Sequence, residues 1–284
     1  ENDMSDQKVC LVTGANSGIG LATAKALSAN GAQIIMVCRN EEKGRAAADE
    51  IASSTGHKPD LFLGDLSSVA DTKRVAAEVC KAYERLDILV NNAGGYFPKR
   101  MESSEGLELN FALNHLGYFV LTQGLRPLLE ATPSSRIVSV ASRAHRMARL
   151  DLDDLCWQRR RYIPFFAYGT SKLLNILFTR ELARQLEGTD TTVNCYHPGV
   201  VRTGFGQDYS GIFNLGTRLA GLFLLSPEQG AETGIYLATS DELASVTGKY
   251  FAKCRVVQPR PAGRNDEHAR RLWQLSETFA AEHG

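Results

Sequence analysis

The sequence predicts an α/β protein: a doubly wound parallel sheet of about seven strands with helices on both faces. Three observations predict it. Short apolar runs alternate with amphipathic stretches of helical length from residue 8 onwards. A glycine-rich turn, TGANSGIG at 13–20, joins the first apolar run to the first amphipathic stretch. No internal repeat or low-complexity linker divides the 284 residues, a length one domain can fill. Residues 8–284 are therefore expected to form one domain behind a polar stretch at 1–7 that is either a disordered tail or a tag remnant.

The first strand, 8–12, is followed by a helix with Ile19, Ala22, Ala26 and Leu27 spaced along one face. A second strand, 32–38, leads to a helix at 41–54 for which Asn40 is a natural cap. The third strand, 59–63, ends at Gly64 and Asp65, and a helix at 68–85 precedes the strand 86–90. This rhythm implies right-handed crossovers and a sheet covered on both faces. A helical stretch at 105–130, broken at Pro127 because proline lacks an N–H, leads to a buried strand at 136–140.

Residues 143–163 are basic and irregular and read as an insertion. Beyond it come a helix at 165–187, a strand at 191–196 and the loop HPGVVRTG. The glycine-rich apolar segment 204–225 is expected to close over a substrate as a lid. A helix from Pro227 to about Ala238, a short strand at 249–251 and a terminal helix carrying Leu272, Trp273, Leu275 and Phe279 complete the chain.

Lys plus Arg number 32 and Asp plus Glu 32, a balance that argues against a nucleic-acid or anionic-membrane binder. Six scattered cysteines without a CxxC point to a reducing, cytoplasmic compartment. No apolar run approaches the roughly 18 residues of a membrane span. Neither a GxSxG elbow nor HExxH spacing is present, so hydrolase and metal chemistry are set aside.

In the turn, Gly14 can take backbone angles closed to other residues, Gly18 removes a Cβ where an anion approaches, and Gly20 lets helix and strand sit close. The helix start offers free N–H groups, which suits a dinucleotide pyrophosphate, with Asn16, Ser17 and Ile19 as further candidate contacts. The spacing is GxxxGxG, and such a turn can also be only a turn. Farther on, Tyr168 and Lys172 stand four apart and share a helix face. An ammonium about 4 Å from a phenol contributes roughly 4 kcal/mol at an effective dielectric near 20, enough to draw the phenol pKa toward neutrality. An exposed pair with Tyr168 at the core edge is the plainer alternative.

Taken together, TGxxxGIG, NNAG at 91–94, Ser142 after the fifth strand, YxxxK at Tyr168 and Lys172, and Pro198-Gly199 resemble the short-chain dehydrogenase/reductase family over 8–251. VCRN, NHLGYF and SRAH, with the 26-residue separation of Ser142 and Tyr168, resemble its retinol dehydrogenase-like group. The resemblance implies a Rossmann-type fold and transfer of a hydride between nicotinamide and a small hydrophobic carbonyl or alcohol. By the same resemblance Tyr168 is the proton donor or acceptor, Lys172 lowers its pKa and holds ribose hydroxyls, and Ser142 binds the substrate oxygen. Ser139 is a rival to Ser142 on the opposite side of the strand. Asn114 completes the tetrad.

Asp65 and the Leu66 backbone are matched to the adenine, Asn91 to the strands beside the ribose, and Ala93 and Gly94 to close cofactor approach. Pro198, Gly199, Val200 and Thr203 are matched to the carboxamide grip. Where an acidic residue would select NAD(H), the chain has Cys38, followed by Arg39 and Asn40, so NADP(H) is favoured over NAD(H). The family often pairs through its fourth and fifth helices, here 105–130 and 165–187, so a homodimer is a further expectation. The competing function is a catalytically silent dinucleotide sensor or scaffold, whose mark would be a lost tetrad member.

Overall fold

Strict alternation of side chains along apolar strands sets one sheet between two cores. In the computed structural model, which describes residues 7–201 and 224–284, eight strands stand in the order β3-β2-β1-β4-β5-β6-β7-β8. They are β1 Val9–Thr13, β2 Gln33–Cys38, β3 Asp60–Leu63, β4 Ile88–Asn91, β5 Arg136–Val140, β6 Thr192–His197, β7 Tyr250–Ala252 and β8 Arg255–Val256. Val9, Leu11, Ile35, Val37, Leu89 and Ile137 feed one core, while Cys10, Val12, Ile34, Met36, Val90 and Val138 feed the other. That is the period of two a sheet buried on both faces demands.

The helices are α1 Gly18–Ala29, α2 Glu41–Thr55, α3 Val69–Ala82, the single turn α4 Leu109–Phe111, α5 Gly117–Ala131, α6 Pro164–Gln185, α7 Pro227–Thr239 and α8 Asp266–Glu282. Capping fixes several of their starts. Ser68 Oγ accepts from Asp71 N at the head of α3, and Ser226 and Gln229 form a reciprocal capping box on α7. Strand pairing is parallel from β3 through β7, and the order reverses between β1 and β4, so their carboxyl ends open a crevice.

Two elements differ from the sequence expectation. The sheet has an eighth strand, β8, antiparallel to β7 across a tight turn in which Lys253 and Cys254 take φ of 51° and 57°. Two exposed residues leave no alternation to read. The expected break at Pro127 does not occur, and α5 runs through it to Ala131. Pro127 is exposed, so water can satisfy the carbonyl its missing N–H leaves free. The irregular turn lies upstream, where Ala112–Leu116 is a π-helix. The expected lid, 204–225, lies outside the described residues except for its last two, as does the tail except for Gln7.

Candidate active site

A cleft of about 860 Å³ runs across the crevice above β1 and β4. Its nucleotide end is shaped by backbone. Gly14 and Gly18 take φ of 63° and 56°, which side-chain-bearing residues rarely adopt. A Cβ on Gly20 would stand 2.5 Å from Asn92 Nδ2 and closer still to the Gly14 carbonyl oxygen. The α1 N-terminus has no acidic residue in its first turn, and the Ser17 side chain makes no capping bond, so its N–H groups are free to meet an anion. Asn16, Ser17 and Ile19 line the cleft beside them.

The floor is tied across strands by a residue the sequence reading missed. Thr13 Oγ1 accepts from the backbone N–H groups of Asn92 and Ala93, both at 2.9 Å, while Asn92 Nδ2 donates to Thr13 O at 2.8 Å. At the far rim Arg39 Nη1 lies 3.8 Å from Asp65 Oδ2, and the Arg39 side chain is three-quarters exposed. Asp65 Oδ1 accepts from both the N–H and the hydroxyl of Ser67, and Leu66 lines the cleft next to it. Asp65 is thus a local turn former and a cleft residue at once.

Two candidate cofactor residues stand apart from this lining. Asn40 Oδ1 accepts from Lys43 N and caps α2, because its position just before a helix makes that bond the nearest available. Asn91 is fully buried in β4, and its amide donates to Thr122 Oγ1 of α5 at 3.0 Å, a tie between sheet and helix. Thr203 lies outside the described residues. Pro198, Gly199 and Val200 do line the cleft, and Leu225 N donates to Val200 O at 2.9 Å.

The other end of the cleft is assembled from side chains. Tyr168 and Lys172 project from α6 into the wall, and Ser142, just past β5, hydrogen-bonds the Tyr168 phenol. Ser142 Oγ also accepts from Ala144 N at 3.2 Å. Ser139, the rival serine, is fully buried without a partner for its hydroxyl and is no part of the lining. Lys172, 3% exposed, donates to Val140 O at 3.2 Å, with its Nζ 5.7 Å from the ring centres of both Tyr168 and Tyr118. Tyr118 was not anticipated from sequence.

Asn114 stands one layer behind, in the π-helical turn. Its Oδ1 accepts from Gly95 N at 2.7 Å, and its Nδ2 donates to Gly95 O at 2.9 Å and Ser171 Oγ at 3.0 Å. Ser171 in turn donates to Tyr168 O, linking Asn114 to the α6 backbone. The approach is tight: a Cβ on Gly94 would be 2.8 Å from Asn114 Oδ1 and 3.5 Å from Lys172 Nζ.

Burial sets the electrostatics here. It pushes the Tyr168 phenol up to about 12, against a smaller pull from the Ser142 hydrogen bond, and it pulls Lys172 down to about 7. The expected lowering of Tyr168 by its ammonium neighbour is therefore absent. Lys172 is itself desolvated, and one of its N–H groups donates to the Val140 carbonyl. His197, also in the cleft wall, is held down to about 4 by burial and by Arg143 and His145. Arg143, Arg146, Met147, Phe97 and Phe165 line the remaining mouth, and of these only Arg143 falls inside a motif, SRAH, that the sequence had marked.

The cleft thus has a glycine cradle at one end and a phenol, a hydroxyl and a buried amine at the other. The chain belongs to the short chain dehydrogenase family, matching it over residues 8–210, and is an oxidoreductase. It is 43% identical to retinol dehydrogenase 13 of Homo sapiens over 276 residues, 95% of this chain and 83% of that protein. It is similar to a solved protein of Mycobacterium paratuberculosis at 31% identity and a TM-score of 0.79, covering 97% of this chain and 94% of the other. A short chain dehydrogenase of Escherichia coli complexed with NADPH matches at 28% identity and a TM-score of 0.67, covering 86% and 95%.

Proposed function

We propose that the chain passes a hydride between NADP(H) and a hydrophobic carbonyl or alcohol, with Tyr168 as acid or base. The observation that carries the reading is the convergence of Ser142, Tyr168 and Lys172 on one wall of a cleft whose opposite end is a glycine-lined helix start. The residues present fit a dinucleotide: the Gly14–Gly20 turn and the α1 N–H groups would hold the pyrophosphate, Asp65 and Leu66 the adenine, and Lys172 the nicotinamide ribose. The cofactor, when bound, supplies or accepts the hydride. Arg39, exposed at the rim and, among the described residues, paired with Asp65 alone at 3.8 Å, supports the phosphorylated form.

The chain's own part is proton handling and orientation. A phenol held at about 12 stays protonated at neutral pH and is a loaded donor to a developing alkoxide. Ser142 shares a hydrogen bond with that phenol, so a carbonyl oxygen placed between them meets two donors. Asn114 holds the Gly95 backbone and, through Ser171, the α6 turn bearing Tyr168. Phe97, Met147 and Phe165 give the mouth an apolar wall suited to aldehydes, ketones and retinal-like substrates. Six free cysteines fit a cytoplasmic, reducing setting, and no helix among the described residues is long and apolar enough to cross a membrane. Oxidation of NADPH and of NADH against a panel of aldehydes, ketones and retinal tests the reading. Turnover preferring NADPH is expected, and binding of either cofactor without turnover on any member would leave the silent-sensor reading standing instead.

A further inference from the structure

In a layered α/β fold a surface helix shows one face to water, and its apolar residues form a stripe on the other. Helix α6 breaks this pattern, since every residue from 169 to 179 is buried. The sheet covers one side. The other is covered by α8, which lays Ala269, Leu272, Trp273 and Ser276 over α5 and α6 while Arg270, Arg271, Gln274, Glu277 and Thr278 face outward. Trp273 packs edge-on to Phe119 of α5 at 5.0 Å and stacks on Phe178 of α6 at 6.1 Å, and both phenylalanines are 2% exposed. Phe279 meets Phe111 of α4 at 5.0 Å, Asp266 pairs with Arg180 of α6, and Lys73 of α3 donates to Ala280 O.

One contact reaches the π-helical turn itself. Ser276 donates its hydroxyl proton to Leu272 O, so its oxygen accepts from His115 Nε2 at 3.0 Å, which fixes the tautomer. His115 is the residue after Asn114 and is wholly buried.

We infer that α8 is a built-in partner: it occupies the α5–α6 face, closing it to a second copy of this chain, and it braces the turn that carries Asn114. Steric reasoning gives the first half. Packed helices lie about 8–10 Å apart, so two copies pairing through α5 and α6 would each need the space that α8 fills. The polar outer face of α8 leaves little apolar surface to replace what it covers. The second half follows from the hydrogen bond. Asn114 is placed by the five-residue turn Ala112–Leu116, and the Ser276 bond pins that turn from outside at the next residue, His115.

The test uses the full chain. Sedimentation velocity and amide hydrogen exchange are measured across a wide dilution series. Exchange in α5, α6 and α8 that is the same at every concentration is the expected result and holds whether or not the chain associates elsewhere. Exchange there that slows as a dimer forms overturns the closed face. For the brace, Ser276→Ala is expected to speed exchange across 112–116 and lower kcat about three- to tenfold, the effect of one lost buried hydrogen bond, with NADPH affinity unchanged. An unchanged kcat, or a loss confined to cofactor affinity, overturns the brace. The exchange measurements need no turnover, so they stand even if the hydride-transfer reading falls.

Discussion

At the nucleotide end of the cleft Gly14, Gly18 and Gly20 act by lacking atoms, and all three lie within one turn of chain. At the other end Asn114, Ser142, Tyr168 and Lys172, in the proposed reading, act by the atoms they carry, and they arrive on three separate stretches of sequence. The first end is local and steric: its geometry follows from backbone angles that neighbours hardly alter. The second is long-range and electrostatic, and its behaviour follows from what else is packed around it. Burial pulls Lys172 to about 7 and pushes Tyr168 to about 12, neither of which four-residue spacing foretells.

The largest effect is expected where a single atom is removed from the side-chain end. Tyr168→Phe should lower turnover by a factor of about 100 or more while leaving NADPH affinity near that of the unmutated chain, since only the positioned acid is lost. Steady-state rates together with a fluorescence titration of NADPH check it. Comparable turnover on a ketone would erase the distinction between the two ends, because the phenol would then be only part of the wall.

Lys172 sharpens the comparison through stability. Its pKa falls from 10.5 to about 7 because burial disfavours the ammonium. Between those values the unfolded chain holds a proton that the folded chain lacks at this site, so stability rises with pH across that window and carries the full cost of the buried charge below it. Lys172→Met should therefore stabilise the fold by a few kcal/mol near pH 7, with the gain shrinking toward pH 10, even as activity is lost. Urea unfolding of both proteins at a series of pH values measures this. A difference that does not change with pH would mean that Lys172 is solvated in the folded chain.

The same contrast explains what could be read in advance. The alternating strands and helices, the glycine turn, Asn91 to Gly94 and the Tyr168–Lys172 spacing are local patterns, and the doubly wound parallel sheet followed from them. Asn40 was legible as a cap because capping depends on neighbours in sequence, and that bond is the one it makes. The roles of Thr13 and Tyr118 were missed because each earns its place through partners 50 or more residues away, such as Asn92 for Thr13. The π-helical turn at Ala112–Leu116 was hidden for another reason: its stretch reads as uninterrupted helix, and Pro127 drew the expected irregularity downstream.

At the nucleotide end one side chain, at the rim, is expected to matter. Arg39→Asp should shift the preference between NADPH and NADH about tenfold or more toward NADH, since it replaces a cation with a like charge beside a phosphate and sets it next to Asp65. Equilibrium titrations of both cofactors decide it. A variant with unaltered preference would return Arg39 to the role its exposure also permits, a solvated surface cation.

The smallest steps are expected at the mouth, where recognition is spread over apolar contacts. Phe97, Met147 and Phe165 line that wall, and Met147 and Phe165 remain 47% and 48% exposed, so apolar area is there to be covered. Each methylene buried against it contributes about 0.8 kcal/mol, or roughly fourfold in kcat/KM, until the wall is full. A homologous series of alkyl aldehydes should thus climb in even steps and then level off. The rise should appear in kcat/KM and shrink in Phe165→Ala, because that ring supplies part of the covered area. A flat series, or one unaffected by Phe165→Ala, would show that the substrate rests elsewhere and that the exposed side chains at the mouth serve another surface.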